Sequence, residues 1–312
     1  MTNGILVLDK PRGPTSHDIV AHMRRVLRVR QVGHAGTLDP MATGVLVVAV
    51  GEATKLVPWL VATDKTYEAT IALGVETDTL DAEGRVLRRV ALSDPLREAL
   101  FARRGRPIPS ELRAALAAES ARSSQVPPAF SAIKRDGERA YALARRGVQP
   151  VLTARDVHVR RLELVACIAE PPSIAVLLEV SKGYYVRALA RDLCEALGTV
   201  GHLTSLRRTR SGCFERGEAL SLDAPKDELL ARMVPLAVAA TRVLPSAQLT
   251  NVGVRDARCG RQVQPPDIRG PADAPSAWLD PQGELVAVGS VDQAGCGSVL
   301  RGFAAATDGA HR

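Results

Sequence analysis

The sequence predicts an α+β protein with one large domain followed by a small, β-rich one. Three observations predict it. Apolar patterns of strand and helix period alternate over the first 240 residues without the regular spacing of βαβ units. From Gln248 to Phe303 the chain breaks into short strands punctuated by Gly and Pro, the pattern of a small β-barrel. A length of 312 residues suits one large domain plus one small one and is ample for a buried core.

Taken in order, Gly4 to Leu8 is a short apolar run that ends at Asp9-Lys10-Pro11. A helix should start near Thr15, with Asp18 three residues on as a capping box requires. Within it Ile19, Val20, Met23, Val26 and Leu27 recur at helical spacing, while Arg24, Arg25 and Arg28 fall on the other side as either a solvated face or phosphate contacts. Val45 to Val50 reads as a buried strand and Glu52 to Leu60 as a short helix. In Lys65 to Leu73 the residues Tyr67, Ala69, Ile71 and Leu73 share one face of a strand. Asp81 to Gly84 is a turn into a strand at Arg85 to Val90, a hairpin-like unit. Residues 93–122 are rich in Ala and Arg at helical spacing, as one or two inserted surface helices would be. Arg155 to Ala166 and Ile174 to Val180 are strand candidates separated by Glu170-Pro171-Pro172. A helix over Val186 to Leu197 stops at Gly198, and a linker is expected around Val234 to Leu244.

Composition narrows the function classes. With 46% hydrophobic and 24% charged residues the chain is an ordinary globular one. No run reaches the ~20 apolar residues of a membrane span, and Met1-Thr2-Asn3-Gly4 lacks the pattern of a signal peptide, so the expected compartment is the cytoplasm. Five scattered cysteines without a C-x-x-C pair argue against a disulfide framework and a zinc site. A net charge of +7 favours a polyanionic partner. From Thr241 onward seven Arg balance seven Asp and Glu, so the excess lies in the first 240 residues. Only six of the 41 basic residues are Lys, which fits phosphate recognition and a biased genome composition equally well.

The most informative window is Gln31 to Gly44, where three glycines, His34, Asp39 and Pro40 sit between a basic helix and an apolar strand. Flexible backbone around a restrained Asp-Pro step can hold a carboxylate in one place. By residue type alone Asp39-Pro40 also reads as a turn. The window is neither a G-x-G-x-x-G fingerprint nor a Walker loop.

The string Gly33-His34-Ala35-Gly36-Thr37-Leu38-Asp39-Pro40-Met41-Ala42-Thr43-Gly44-Val45-Leu46, with Gly51-Glu52-Ala53-Thr54-Lys55 after it, resembles the signature of the bacterial tRNA pseudouridine-55 synthase (TruB) family. Further blocks agree in order: Asp9-Lys10-Pro11 with Gly13, Thr15 and Ser16; Asp64-Lys65-Thr66-Tyr67; Leu73-Gly74 with Thr77-Asp78-Thr79; Gln125-Val126-Pro127-Pro128 with Ser131-Ala132 and Lys134; Ser181-Lys182-Gly183-Tyr184-Tyr185-Val186-Arg187; and Leu206-Arg207-Arg208. They span residues 4–214.

The resemblance implies a pseudouridine synthase fold with a mixed, largely antiparallel sheet. It places a catalytic domain at residues 1–236, with 93–122 as a helical insertion, and a PUA-like RNA-binding domain at 243–306. It implies isomerisation of uridine 55 in the tRNA T loop, with the base flipped out, no cofactor and no metal. Asp39 is then the nucleophile, Arg187 its guanidinium partner, and Tyr67 the aromatic residue on the target base that assists proton removal. His34 supports the flipped nucleotide. Lys10, Lys65, Lys182, Tyr185, Arg207 and Arg208 frame the site or hold RNA, and Leu206 packs on the uracil. The partner is the T stem-loop of tRNA; a monomer needing no protein partner is expected.

The chain departs from the family pattern in three places. Tyr184 stands where a small Thr is usual, the 93–122 insertion is longer than common, and the neutral C-terminal domain resembles a PUA barrel only loosely, although Arg255, Arg258 and Arg261 could form a local patch. Two alternatives stay open: a guide-RNA-dependent relative and a noncatalytic tRNA-binding or folding protein.

Overall fold

A computed structural model describes residues 2–101, 108–131, 134–135, 138–139, 146 and 152–304. Residues 102–107 of the expected insertion, Ala132, the side chain of Lys134 and the last two residues of segment 243–306 lie outside that description. By internal packing the chain forms two compact units. One holds the residues up to Asp39, Gly44–Thr63 and everything from Ser211 on; the other holds Pro40–Thr43 and Asp64–Arg210.

In the first unit the strand Gly4–Lys10 runs antiparallel to Thr43–Val50, from Gly4 opposite Val50 to Lys10 opposite Gly44. The short strand Val32–His34 pairs with Val48 to Val50. Apolar residues of both parities along Val45 to Val50 are buried, which is why that run reads as continuous rather than alternating. The helix Ser16–Leu27 forms as expected: Thr15 and Asp18 close a reciprocal capping box, and Ile19, Val20, Met23 and Leu27 are buried. Its charged side is not all solvent, because Arg24 donates to the Val32 carbonyl at 2.8 Å.

The stretch expected as a linker is ordered structure. Val234–Pro235 pairs with the start of the first strand, and Leu236–Val243 is a helix with Ala239 and Ala240 fully buried. Pro235 is the N-cap of that helix, and its two buried alanines permit close packing. The C-terminal segment forms a five-stranded sheet in the order Ile268–Arg269, Ser246–Leu249, Pro275–Leu279, Leu285–Val291, Gly297–Gly302. Ala277, Leu279, Leu285, Val288 and Phe303 of this segment share one apolar cluster with Ile5, Val7, Val45 and Val47. A second cluster surrounds the fully buried Trp278.

In the second unit four strands lie in the order Val159–Ile168, Ser173–Val180, Lys65–Leu73, Gly201–Ser211. The antiparallel register sets Val180 against Lys65 and Leu178 against Tyr67. The expected strand over 155–166 is two pieces: Arg155–Asp156 pairs with Ser124–Gln125, and Val159–Ile168 joins the main sheet. The break follows from side-chain and backbone demands, since Val157 is buried and bonded to Ser123 while the His158 amide donates to Ser181 Oγ. The hairpin partner of Val86–Arg89 is the short strand Val75–Thr77, not the Lys65–Leu73 strand. Residues 93–122 supply two helices, Asp94–Phe101 and Ser110–Ser120.

Candidate active site

In the first unit the loop ahead of Asp39 is fixed from the start of the first helix. Leu38 N donates to Ser16 Oγ at 2.9 Å and Ser16 Oγ donates to the Leu38 carbonyl at 3.1 Å, so one buried hydroxyl holds both polar groups of the residue preceding the aspartate. Gly36, at φ 96°, makes a turn in that loop that a side chain would strain. Ala35 N bonds the Val47 carbonyl at 2.8 Å, anchoring the other end of the loop on the strand. Asp39 is half-buried. His34 stands edge-on to His17, with ring centroids 5.2 Å apart. Lys10 is fully buried and donates to the Pro11 carbonyl at 3.0 Å. Sequence reasoning singled out Asp39 but gave Ser16 no role; that hydroxyl lies 22 residues away from its partner.

In the second unit the Lys65–Leu73 and Gly201–Ser211 strands bury cations. Lys65 is 7% exposed and Arg208 1% exposed. Burial, then the Arg208 guanidinium and Lys182, pull the Lys65 ammonium down to about 8 against the opposing pull of Asp64. Tyr67, two residues along the same strand, is buried on the same face. Leu206 is buried too. Arg207 donates to Thr43 Oγ1 at 3.3 Å, and Lys182 is exposed.

Arg187 lies in the first turn of the helix Val186–Ala196 and is 6% exposed. Its Nη1 donates to the Thr79 carbonyl at 3.0 Å, and its Nε stands 3.8 Å from Asp81 Oδ2. Asp81, which opens the turn expected at Asp81 to Gly84, is 4% exposed and thus a buried carboxylate. Its Oδ1 also accepts from Thr79 Oγ1 at 2.6 Å and from the Glu83 amide at 3.1 Å. The turn thereby fixes a carboxylate within ion-pair range of the guanidinium.

The residues before that helix are held as firmly. Gln125 grips the Tyr185 backbone on both sides: its Oε1 accepts from Tyr185 N at 2.8 Å and its Nε2 donates to the Tyr185 carbonyl at 3.2 Å. Tyr184 is buried, and its hydroxyl donates to Glu119 Oε1 at 2.7 Å. Among the described residues no group of three or more His, Cys, Asp or Glu side chains could hold a metal ion, and no helix is long and apolar enough to cross a membrane.

The profile described as TruB family pseudouridylate synthase (N terminal domain) matches residues 24–186, and that of the tRNA pseudouridylate synthase B C-terminal domain matches 187–235. The chain is 42% identical over 297 residues to tRNA pseudouridine synthase B of Arthrobacter sp. (strain FB24), covering 92% of both chains. It is 50% identical over 222 residues to the protein of that name from Mycobacterium tuberculosis (strain CDC 1551 / Oshkosh), covering 70% of both. Among solved structures, a chain from the crystal structure of a Cbf5-Nop10-Gar1 complex has a TM-score of 0.70 at 24% identity, over 96% of this chain and 84% of that one. That likeness concerns the fold alone. On the profile matches and on identity across nine-tenths of its length, the chain belongs to the TruB family of pseudouridylate synthases and has their α+β fold.

Proposed function

We propose that this protein converts uridine 55 in the T loop of tRNA to pseudouridine, with Asp39 as the nucleophile. One observation carries the reading: the aspartate sits on a loop whose preceding residue has both backbone polar groups held by Ser16, in a family of pseudouridylate synthases. A fixed carboxylate suits a reaction in which it must meet a single carbon of a flipped nucleoside.

The reaction is an isomerisation. The Asp39 carboxylate adds to one of two electrophilic carbons, C1′ of the ribose or C6 of the uracil. The N1–C1′ bond breaks, the uracil turns over, C5 bonds to C1′, and the carboxylate is released. The C5 proton leaves and N1 takes one up, so atoms balance with no redox partner and no cofactor. We assign Tyr67 to the ring of the target base and to removal of the C5 proton. We assign Arg187 as the guanidinium partner of the nucleophile. His34 supports the flipped nucleotide, and Leu206 packs on the uracil. Lys10, Lys65, Lys182, Tyr185, Arg207 and Arg208 frame the site or hold the T stem-loop. Segment 243–306 serves as a PUA-like RNA-binding domain beside the catalytic 1–236, in a cytoplasmic monomer that needs no protein partner.

Purified protein alone should form one pseudouridine in an unmodified tRNA transcript, read by mapping the modified nucleotide. Asp39→Asn should reduce the rate by about 10⁴-fold or more while tRNA binding stays within about threefold. Undiminished turnover by that variant removes the central assignment. Dependence on added guide RNA and proteins favours a guide-dependent enzyme, and binding without product a tRNA-folding protein.

A further inference from the structure

Two departures from the family pattern, the bulky Tyr184 and the 93–122 insertion, meet in space. Glu119, next to last in the insertion's Ser110–Ser120 helix, is 2% exposed and uses both carboxylate oxygens. Its Oε1 accepts the Tyr184 hydroxyl at 2.7 Å, and its Oε2 accepts from Arg122 Nε at 2.6 Å. Arg122 in turn reaches Asp192 Oδ2 at 3.4 Å, and Asp192 Oδ1 accepts from Arg191 Nε at 2.7 Å. The insertion therefore grips the Val186–Ala196 helix at two levels, just before its first turn through Tyr184 and two turns later through Asp192.

We propose that Glu119 is a positioning residue for Arg187, acting through the Tyr184 hydroxyl. A buried carboxylate is costly unless it is bonded, and the Tyr184 hydroxyl supplies one of the two bonds that compensate this one. Tyr184 lies three residues before Arg187, and between them the Tyr185 carbonyl accepts the amides of Ala188 and Leu189 at 3.1 and 3.2 Å, which closes the first helical turn. Burial, followed by the Glu119 charge, raises the Tyr184 phenol far above its ordinary value, so it remains a donor. With Glu119 holding Tyr184 and Gln125 holding Tyr185, the backbone leading into the turn that carries the guanidinium is tied at two successive residues. The insertion thus becomes part of the support of the site. Sub-ångström placement of a charge matters because a shift of about 1 Å can cost about 10²-fold in rate.

This inference rests on the functional reading above, and its test separates the two. In the full-length protein, Tyr184→Phe should lower kcat about tenfold with KM for tRNA within about twofold, because the interaction lost is one of alignment. Amide exchange at Ala188 and Leu189 should quicken by about tenfold. Glu119→Gln keeps an acceptor for the hydroxyl and should retain kcat within about threefold, whereas Glu119→Leu should match Tyr184→Phe, with no further loss in the double variant. Wild-type kcat in Tyr184→Phe overturns the proposal even if its Tm falls. So does a loss expressed in KM alone. If the wild type makes no pseudouridine, the functional reading fails, and the exchange rates decide the positioning role by themselves: unchanged protection at Ala188 and Leu189 in Tyr184→Phe rejects it.

Discussion

Around the strands Lys65–Leu73 and Gly201–Ser211 and the helix Val186–Ala196, the second unit buries Lys65, Arg187, Arg208, Asp81 and Glu119. The C-terminal sheet buries Trp278, Ala287 and Val288, and among its described residues the buried polar side chains are Ser276 and Asp280. Those two are satisfied locally. Ser276 Oγ accepts from Trp278 Nε1 at 3.1 Å, and Asp280 Oδ1 accepts from the amides of Gln282 and Glu284. Buried charge opposes folding unless it is compensated, whereas a tightly packed indole favours it. The contrast separates a region that buries charged side chains, several of them proposed for the site, from one whose buried core is mostly apolar.

The separation breaks most visibly at Arg187. Replacing it with Met should lower kcat by about 10³-fold, and the Asp81 carboxylate left behind should cost about 2–4 kcal/mol of stability. Single-turnover assays alongside denaturant unfolding measure both. If stability falls while the rate per folded molecule is kept, the buried pair is structural and the contrast is lost.

On the other side, Trp278→Ala should cost about 3–5 kcal/mol and leave kcat per folded molecule unchanged. The indole lies over Gly289 and Gly297, where an added Cβ would stand 2.3 and 2.8 Å from its ring, so Gly289→Ala should be destabilising as well. Calorimetry paired with active-site titration distinguishes lost molecules from slowed ones. A slowed folded enzyme would tie the C-terminal core to catalysis.

The ease of reading these regions from sequence was unequal, for physical reasons. The Ser16–Leu27 helix was legible because Thr15 and Asp18 encode its start and the apolar stripe is regular. Lys65–Leu73 was legible through its alternation. The Gly201–Ser211 strand was not anticipated: its buried positions shift parity between Leu203 and Leu206 and include an arginine, so no apolar alternation marks it. Asp39 stood out because its motif is continuous in sequence. Ser16, Asp81 and Glu119 act through partners 22, 106 and 65 residues away, and no local pattern links such pairs. The insertion reads as surface helices from its Ala- and Arg-rich composition at helical spacing, whereas burial of Glu119 against Tyr184 depends on a residue far along the chain.

A gentler probe of the buried-charge region is Lys65. Its ammonium is shifted from 10.5 to about 8, so between those values the unfolded chain holds more protons than the folded one. Stability should therefore rise with pH from about 8 to 10.5, with the burial cost fully present below 8. Lys65→Met should flatten that rise and add about 1–2 kcal/mol at pH 7. Phosphate near the ammonium would raise its pKa again, so tRNA binding at pH 8 should take up a fraction of a proton, seen by calorimetry in buffers of different ionisation enthalpy. Neither a flattened profile nor proton uptake would mean that Lys65 is charged in both states and does not respond to RNA.

The smallest effect tests whether the C-terminal region is only structural. Its charges balance overall, yet Arg255 and Arg258 are both exposed and lie three residues apart on the Asn251–Arg258 helix, while Arg261 is 3.6 Å from Asp256. A balanced segment can still present a local cationic face, and phosphate contacts of that kind set affinity rather than rate. The double variant Arg255→Gln and Arg258→Gln should weaken tRNA binding about fivefold at low salt, reduce the salt slope by about one to two, and leave kcat unchanged. Equal affinities across the salt series would leave this sheet the role of a stabilising core alone. A fall in kcat would show instead that RNA held here reaches the chemistry, and the two regions would then have to be treated as one binding surface.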